Sequence, residues 1–162
     1  MYKTAIGQDS HRFEPEGSPK PLLLGSVRIP GCPGLAGNSD ADVILHAITN
    51  AISSISGLNI LGKIADELCL KEGVTDSSVY LSKALDSLTN YKVIHVSLSI
   101  ECKRPNLETH IQNIKKSLAA LLSLTPSDIG LTATTGEELT EFGKGNGIRV
   151  LALITVQKKG NK

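Results

Sequence analysis

Three side chains near the start of the chain could together bind a divalent metal ion. Asp9 and His11 are separated by one residue, and residues i and i+2 of an extended strand point to the same side. His46 follows in a segment rich in acidic residues. One carboxylate and two imidazoles with a fourth position open are typical of catalytic zinc, whose remaining ligand is water or substrate.

The two acids that precede His46 leave other interpretations open. Asp42 and His46 are one helical turn apart and would share a helix face. Asp40 or Asp42 could instead orient a ligand imidazole from outside the metal shell. Without a metal, Asp9 would be a capping acid and His11 and His46 ordinary loop and helix residues. Spacing alone does not separate these interpretations, because Asp-x-His is a short pattern.

Two later segments could bind phosphate groups. Residues 133–138, Ala-Thr-Thr-Gly-Glu-Glu, follow the apolar start of a strand. Hydroxyls and backbone N–H groups at a strand-to-helix junction can hold phosphate oxygens, and a neighbouring carboxylate could hold a Mg²⁺ that bridges phosphates. Lys144 lies among glycines that let a ligand approach the backbone closely. A helix start followed by a glycine turn is the alternative.

Composition indicates one domain, 1–162, with no nucleic-acid or membrane partner. The net charge of +1 gives no global field for nucleic acid or anionic lipid, and 3% aromatic residues without Trp disfavour base stacking. No apolar run could span a bilayer, and the N-terminus lacks a signal-peptide pattern. The three cysteines are widely spaced and fit reduced thiols, so we expect a cytoplasmic protein.

Apolar periodicity predicts the elements that would position these residues. A first strand is predicted at 2–6, ending in the polar segment 7–11, and a hairpin at 22–29 with Gly25-Ser26 at its turn. Ser39 and Asp40 are good N-cap residues for a helix that Gly57 ends. The remaining predictions are a loop at 30–37, helices at 43–55, after 76–77 and after 105–106, and strands at 93–100, 131–135 and 148–156. This order predicts an α/β (α+β) fold, a mixed sheet with helices on one face.

Taken together, these segments resemble the 2-C-methyl-D-erythritol 2,4-cyclodiphosphate synthase family of the non-mevalonate isoprenoid pathway. The resembling segments occur in the family's order over most of the chain. They are 7–13, 24–30, 39–47, 133–135 with Glu137, and 143–148. Each segment is short, but a chance match of this total length in this order is improbable.

The resemblance implies a homotrimer of ferredoxin-like subunits, with active sites at the subunit interfaces. Members of the family convert 4-diphosphocytidyl-2-C-methyl-D-erythritol 2-phosphate, a nucleotide-linked small molecule, into the cyclic diphosphate and release CMP. The reaction is that of a phosphorus–oxygen lyase, in which the 2-phosphate attacks the β-phosphorus. Catalysis therefore consists of positioning and charge stabilisation. The implied cofactors are one Zn²⁺ per active site and Mg²⁺ or Mn²⁺ with the substrate diphosphate.

Carried over position by position, the resemblance assigns roles to individual residues. Asp9, His11 and His46 match the zinc ligands. Glu137 matches the carboxylate that binds the second ion, and Thr135 matches the residue that stabilises the transition state.

The same comparison implies the substrate contacts. Ser39 matches a substrate-binding serine, and 102–108 matches the cytidine-binding segment, which acts largely through its backbone. Asn38 stands where the family commonly has a His that steadies the developing charge, and Asn can donate a hydrogen bond but cannot become cationic. The implied substrate-binding residues are Asp9, His11, Asn38, Ser39, Gly62, Asp66, Glu67, Arg104, Pro105, Asn106, Leu107, Thr134, Thr135 and Lys144.

Further departures from the family pattern affect substrate contacts and spare the zinc positions. Residues 60–62, Ile-Leu-Gly, replace an Asp-x-Gly segment whose acid binds the ribose hydroxyls. Residues 65–67, Ala-Asp-Glu, replace Phe-Pro-Asp, with the two acids as candidate substitutes. Asn106 replaces a Lys, and Lys144 replaces an Arg, keeping the charge but losing the bidentate fork. We predict an active enzyme with weaker or altered nucleotide binding.

The sequence alone is also compatible with two other functions. The lost ribose acid and Asn38 would also suit a non-catalytic trimer that binds zinc or an isoprenoid diphosphate, which family trimers can hold along their central axis. A zinc phosphohydrolase acting on other diphosphates is the third interpretation.

Overall fold

Strands and helices follow one another along residues 1–160, the part of the chain that the computed structural model describes. The strands are β1 (Tyr2–Arg12), β2 (Pro21–Leu24), β3 (Val27–Pro33), β4 (Tyr91–Glu101), β5 (Ile129–Thr134) and β6 (Gly147–Lys158). The α-helices are α1 (Val43–Ser56), α2 (Lys63–Glu72), α3 (Ser77–Asp86) and α4 (Ile111–Leu122), and short 3-10 turns cover Pro126–Asp128 and Gly136–Glu138. The last two positions of the predicted domain 1–162 lie outside the described residues.

The main sheet has the strand order β1-β6-β4-β5, and β2 and β3 form a separate hairpin. β6 is antiparallel to both of its neighbours, whereas β5 runs parallel to β4. α1 packs on β1 and β6, α4 packs on β5, and α3 packs on α1. The predicted α/β fold with a mixed sheet is therefore confirmed.

Buried and more exposed side chains alternate along β6, and this alternation shows which face of the sheet the helices cover. The side chains of Ile148, Val150, Ala152, Ile154 and Val156 are fully buried. The residues between them point to the opposite face and are more exposed. This period of two is what a strand with one covered face requires. Within the described part of the chain, no helix is long and apolar enough to cross a membrane.

The close approach of β1 to α1 depends on a glycine. A Cβ atom added at Gly7 would lie 2.1 Å from the carbonyl oxygen of Ala47 and 2.3 Å from the backbone nitrogen of Ala51. Any side chain at this position would therefore separate the strand from the helix. The contact places the second half of β1 beside the first turns of α1.

Several element boundaries differ from the predictions for identifiable reasons. β1 does not end at Ile6 but continues through the polar segment to Arg12, because each residue pairs with β6. α1 is capped by Asp42 and not by Ser39 or Asp40, since the Asp42 carboxylate accepts a hydrogen bond from the Leu45 backbone N–H. The predicted end at Gly57, in the left-handed conformation, is confirmed.

Three other segments were predicted incompletely. β3 continues to Pro33, inside the predicted loop at 30–37. α2 was not predicted, because its ten residues bury only Ala65 and Leu68 and carry a weak apolar pattern. α4 starts at Ile111 and not directly after 105–106, since a turn precedes it.

Candidate metal centre and substrate cleft

The predicted ligands Asp9, His11 and His46 converge between β1 and α1. Asp9 Oδ2 lies 3.0 Å from His11 Nε2 and 2.9 Å from His46 Nδ1. The two ring nitrogens are 3.4 Å apart. Asp9 and His11 point to the same side of β1, as the i, i+2 spacing predicted, and the described residues contain this one cluster suited to a metal ion.

The outer ring nitrogens of both histidines are also engaged. His11 Nδ1 lies 2.7 Å from the carbonyl oxygen of Ala36, which can only accept, so Nδ1 donates to it. The Nε2 atom of His11 therefore carries the lone pair when the ring is neutral, and it faces Asp9. His46 Nε2 lies 2.9 Å from Ser77 Oγ. Such contacts outside the ligand shell orient metal-binding imidazoles.

Asp42 does not share the site with His46. Its carboxylate is fully buried and accepts hydrogen bonds from the backbone nitrogens of Gly25, Ser26 and Leu45. Burial raises the pKa of Asp42, and the three backbone N–H groups oppose that rise. The side chain therefore ties the β2–β3 turn to the start of α1, and the interpretation in which Asp42 and His46 act from one helix face is wrong.

The electrostatics of the triad favour a negative Asp9 and a positive His11. Burial opposes ionisation of Asp9, but the hydrogen bonds and positive charge of His11 and His46 outweigh it and lower the pKa of Asp9 to about 2. The hydrogen bond to Asp9 raises the pKa of His11 against the effect of burial. A metal ion would therefore compete with a proton on His11.

The triad opens into a cleft of about 410 Å³ that polar and apolar side chains line together. Four of the predicted substrate-binding residues outside the triad contribute to its walls, namely Asn38, Ser39, Gly62 and Asp66. Glu67, predicted as a partner of Asp66, does not line this cleft, and its carboxylate lies 3.7 Å from Lys71 Nζ.

The sequence interpretation missed several residues of the cleft wall. They are Asn50, Asn59, Leu61, Cys69 and Tyr80. Asn50 follows His46 by one helical turn on α1, and this i, i+4 spacing was a usable signal. Asn59 precedes Ile60, the residue at the position of the family's ribose-binding acid. Ile60 is buried with 2% of its surface exposed, so it offers the cleft no polar group.

The predicted phosphate and second-ion residues lie in a separate place. Thr135 and Glu137 line a second cleft with Lys103, Glu138 and Gly143. Glu137 and Glu138 both adopt left-handed backbone conformations, with φ of 51° and 61°. Such conformations are costly for residues other than glycine and cluster at functional sites. Glu138 is ion-paired with Lys103, whereas Glu137 takes part in none of the ion pairs among the described residues.

Three other predicted substrate residues lie outside the lining of both clefts. Arg104 stacks its guanidinium 4.7 Å from the ring centre of Phe13 and donates to Glu16 at 2.6 Å. The Lys144 ammonium lies 2.8 Å from Glu141 Oε1. Leu107 is buried in the core.

The turn before α4 contains another predicted substrate residue, Asn106. Asn106 Oδ1 accepts a hydrogen bond from the Glu108 backbone N–H at 2.9 Å. Pro105 and Thr134 complete the predicted set, and Thr134 ends β5. Within one chain, Asn38, Ser39, Gly62 and Asp66 thus lie in the triad cleft, whereas Thr135 and Glu137 lie in the second cleft.

The strand order defines an α/β protein. Its candidate metal centre consists of one acid and two histidines and opens to a cleft between an edge strand and the first helix. The chain belongs to the YgbB family, whose model matches residues 2–157. It is 44% identical over 162 residues to the 2-C-methyl-D-erythritol 2,4-cyclodiphosphate synthase of Chlamydia caviae, covering 99% of this chain and 92% of the relative. The Chlamydia felis protein of the same name is 44% identical over 159 residues, covering 98% and 90%.

Solved structures show the same fold. A 2C-methyl-D-erythritol-2,4-cyclodiphosphate synthase in a CDP-bound form matches with a TM-score of 0.84 and 31% identity, over 96% of this chain and all of that one. The bifunctional IspDF protein of Campylobacter jejuni matches with a TM-score of 0.87 and 29% identity over 98% of this chain. The match covers 43% of that longer protein. The resemblance predicted from the motifs is confirmed.

Proposed function

We propose that the protein converts 4-diphosphocytidyl-2-C-methyl-D-erythritol 2-phosphate into 2-C-methyl-D-erythritol 2,4-cyclodiphosphate and CMP, in non-mevalonate isoprenoid biosynthesis. The observation that carries this function is the convergence of Asp9, His11 and His46 on one point in the lining of a cleft. Family membership and the names of the curated relatives support it. A reaction between two phosphate groups needs positioning and charge stabilisation more than a protein nucleophile.

The triad has the geometry and the donor types for Zn²⁺. Tetrahedral bonds of 2.0–2.2 Å place neighbouring donor atoms roughly 3.3 to 3.6 Å apart, so the two contacts to Asp9 would open by a few tenths of an ångström around a bound ion. The three donor separations here span 2.9 to 3.4 Å. Imidazole nitrogens suit zinc, whereas Mg²⁺ prefers oxygen ligands. Asp9, His11 and His46 would hold the ion, which when bound would act as a Lewis acid that polarises the diphosphate.

Residues of the cleft wall would hold the phosphate oxygens. Ser39 Oγ accepts a hydrogen bond from the Ala41 backbone N–H at 3.1 Å, which leaves its own O–H to donate into the cleft. The Asn38 side chain lines the cleft beside it and can donate through its amide. These donors would orient the β-phosphate for attack by the substrate's 2-phosphate. A P–O–P link then forms, and CMP leaves with the oxygen that joined its phosphorus to the β-phosphorus.

A second ion would be held by Glu137, which we propose binds Mg²⁺ or Mn²⁺ together with substrate phosphate oxygens. The exposed carboxylate on a strained backbone next to Thr135 supports this role. Oxygen-only ligation with substrate phosphates completing the shell is the usual arrangement for Mg²⁺. Thr134 and Thr135 would contact the phosphates, and the backbone of 104–107 would contact the cytidine.

The division of these residues between two clefts supports a homotrimer with shared active sites. One subunit would supply the triad cleft, and its neighbour would supply Glu137, the threonines and the cytidine segment. Ile6 and Leu153 lie opposite each other on the sheet face that carries no helix, 62% and 40% exposed. An exposed apolar pair rimmed by polar side chains is typical of a subunit interface.

The direct assay incubates the purified, zinc-loaded protein with the substrate and Mg²⁺ and follows CMP release. Equal amounts of CMP and cyclic diphosphate are expected. The absence of product would overturn the proposal. Linear phosphate products would favour the zinc phosphohydrolase, and substrate binding without turnover would favour the non-catalytic trimer.

A further inference from the structure

His46 makes a second chain of contacts on the side of its ring away from the triad. His46 Nε2 lies 2.9 Å from Ser77 Oγ, and the Ser77 hydroxyl in turn donates to Asp40 Oδ1. The Ser77 backbone N–H donates to the other carboxylate oxygen of Asp40 at 3.0 Å. Ser77 is fully buried, and 8% of His46 is exposed. Ser77 and His46 therefore interact with little access for solvent, and Asp40 is half-buried.

We propose that Asp40 and Ser77 act as positioning residues that set the tautomer and the orientation of His46 for metal binding. This inference rests on the proposed metal site. It assigns a function to two residues that do not touch the metal or the substrate.

The direction of the hydrogen bonds follows from the donor inventory. A carboxylate can only accept, so Asp40 takes the single hydroxyl proton of Ser77. The Ser77 oxygen can then only accept from the imidazole, which places a proton on His46 Nε2. The Nδ1 atom of His46 therefore faces the ligand cluster, 2.9 Å from Asp9 and 3.4 Å from His11; without a metal a proton on Nδ1 donates to Asp9, and a metal ion would take the place of that proton. An unprotonated nitrogen facing the ligand cluster is what metal binding requires.

Comparison with His11 shows why Asp40 is needed. The outer nitrogen of His11 faces a backbone carbonyl, Ala36 O, which can act only as an acceptor. A serine hydroxyl has no such restriction, because it can donate or accept. Asp40 removes this freedom from Ser77, so that both imidazoles keep a proton on the outer nitrogen and leave the inner one as the nitrogen that can bind a metal ion.

The same contacts connect the candidate metal centre to residues 75–77, where α3 begins. Ser77 is the first residue of α3, and Asp40 makes two further hydrogen bonds with the backbone nearby. Its backbone N–H donates to Thr75 O at 2.8 Å, and its carboxylate accepts from the Asp42 backbone N–H at 3.1 Å. Metal binding at His46 and the docking of residues 75–77 should therefore stabilise each other.

The first test measures zinc affinity by competition with a chelator for Ser77→Ala and Asp40→Asn. A loss of 10- to 100-fold is expected, the range seen when partners outside the ligand shell are removed. Ser77→Thr keeps the hydroxyl and should restore affinity toward the wild-type value. Ser78→Ala is the matched control on the next residue of α3, since the described hydrogen bond of Ser78 uses its backbone N–H. Unchanged zinc affinity in Ser77→Ala and Asp40→Asn would overturn the proposal.

The second test uses the wild-type protein and so does not depend on whether a variant folds. ¹⁵N NMR of the zinc-loaded protein should show the His46 proton on Nε2 and the metal on Nδ1. In Asp40→Asn the amide nitrogen can donate to Ser77, which frees the hydroxyl to donate to His46 Nε2, so Nε2 is no longer held as a donor and zinc should be bound more weakly. A wild-type His46 that carries its proton on Nδ1 would overturn the proposal.

The outcomes separate this inference from the proposed reaction. CMP release together with unchanged zinc affinity in both variants would refute the positioning role alone. Weakened zinc binding together with absent CMP release in the wild type would refute the reaction and leave the positioning role in place.

Discussion

Asp9 and His46 lie 37 positions apart in the chain and on different elements, yet their Oδ2 and Nδ1 atoms are 2.9 Å apart. The backbone of Gly7 makes this proximity possible, because β1 rests directly on α1 at that residue. The candidate metal centre is thus a consequence of strand-on-helix packing.

Gly7→Ala should damage the fold and the metal centre together. The added Cβ would lie 2.1 Å from Ala47 O and must push β1 away from α1, at a cost of about 1–3 kcal/mol or more. Urea denaturation should show the lower free energy of unfolding, and chelator competition should show weaker zinc binding. Gly130→Ala is the control, because its Cβ would meet Ser97 Oγ at an ordinary 3.6 Å. Equal stability of the two variants would contradict the role of Gly7.

The metal-free protein should gain stability from the Asp9–His11 pair in a limited pH range. The pKa of Asp9 is lowered from 3.8 to about 2, so its contribution is present above pH 3.8 and is lost as the pH falls toward 2. The pKa of His11 is raised above 6.5, so its contribution is present below 6.5 and is lost as the pH rises through the raised value. The pair therefore contributes most between about pH 4 and 6.5.

Urea denaturation of wild type and Asp9→Asn across pH 2 to 9 measures this contribution. The difference in unfolding free energy should reach about 2 kcal/mol in that window, as the size of the Asp9 shift implies, and should shrink on both sides. A difference that stays constant with pH would show that the two charges do not interact. The zinc affinity should fall as the pH drops below the pKa of His11, because the metal must then displace the proton on this histidine.

Glu137→Ala should leave zinc bound and raise the Mg²⁺ concentration needed for CMP release. The variant removes the carboxylate proposed to hold the second ion, which is outside the triad cleft of its own chain. Glu138→Ala is the matched control, because this neighbouring acid forms an exposed ion pair with Lys103, and such pairs contribute little. An unchanged Mg²⁺ requirement in Glu137→Ala would assign the second ion to other residues.

Ile6→Lys should prevent assembly of the trimer. The substitution places a charge in the apolar pair with Leu153, on the face proposed to meet the neighbouring subunits. Analytical ultracentrifugation of the wild type should give three times the chain mass of 17.1 kDa, and the variant should give a smaller particle without CMP release. Leu58→Lys is the control, since Leu58 is 45% exposed but lies outside the sheet. A monomeric wild-type protein with full activity would contradict shared active sites.

The sequence predicted those parts of the fold whose signals are local. The end of α1 at Gly57 and the start of α3 at Asp76 have cap residues that act within one turn of the helix. α2 escaped prediction because little of its surface is buried. The extension of β1 through Asp9 was missed because polar residues conceal a strand whose stability comes from pairing with β6.

For the candidate site, the ligand types were predictable and their surroundings were not. The Asp-x-His spacing indicated that Asp9 and His11 share a side, but only the packing of β1 on α1 brings His46 to them. Ser77 is 31 positions from His46, and no spacing rule connects a helix-starting serine to a histidine on another helix. The burial of Ile60 likewise depends on tertiary contacts.

The most direct test of the account identifies the product of the zinc-loaded protein by ³¹P NMR, with His46→Ala as the comparison. The wild type should convert the substrate into the cyclic diphosphate and an equal amount of CMP. His46→Ala should retain no stoichiometric zinc and form no product, because two protein ligands hold zinc poorly. A wild-type protein that leaves the substrate intact or releases only linear phosphates would contradict the account, as would a His46→Ala variant with full zinc and full turnover.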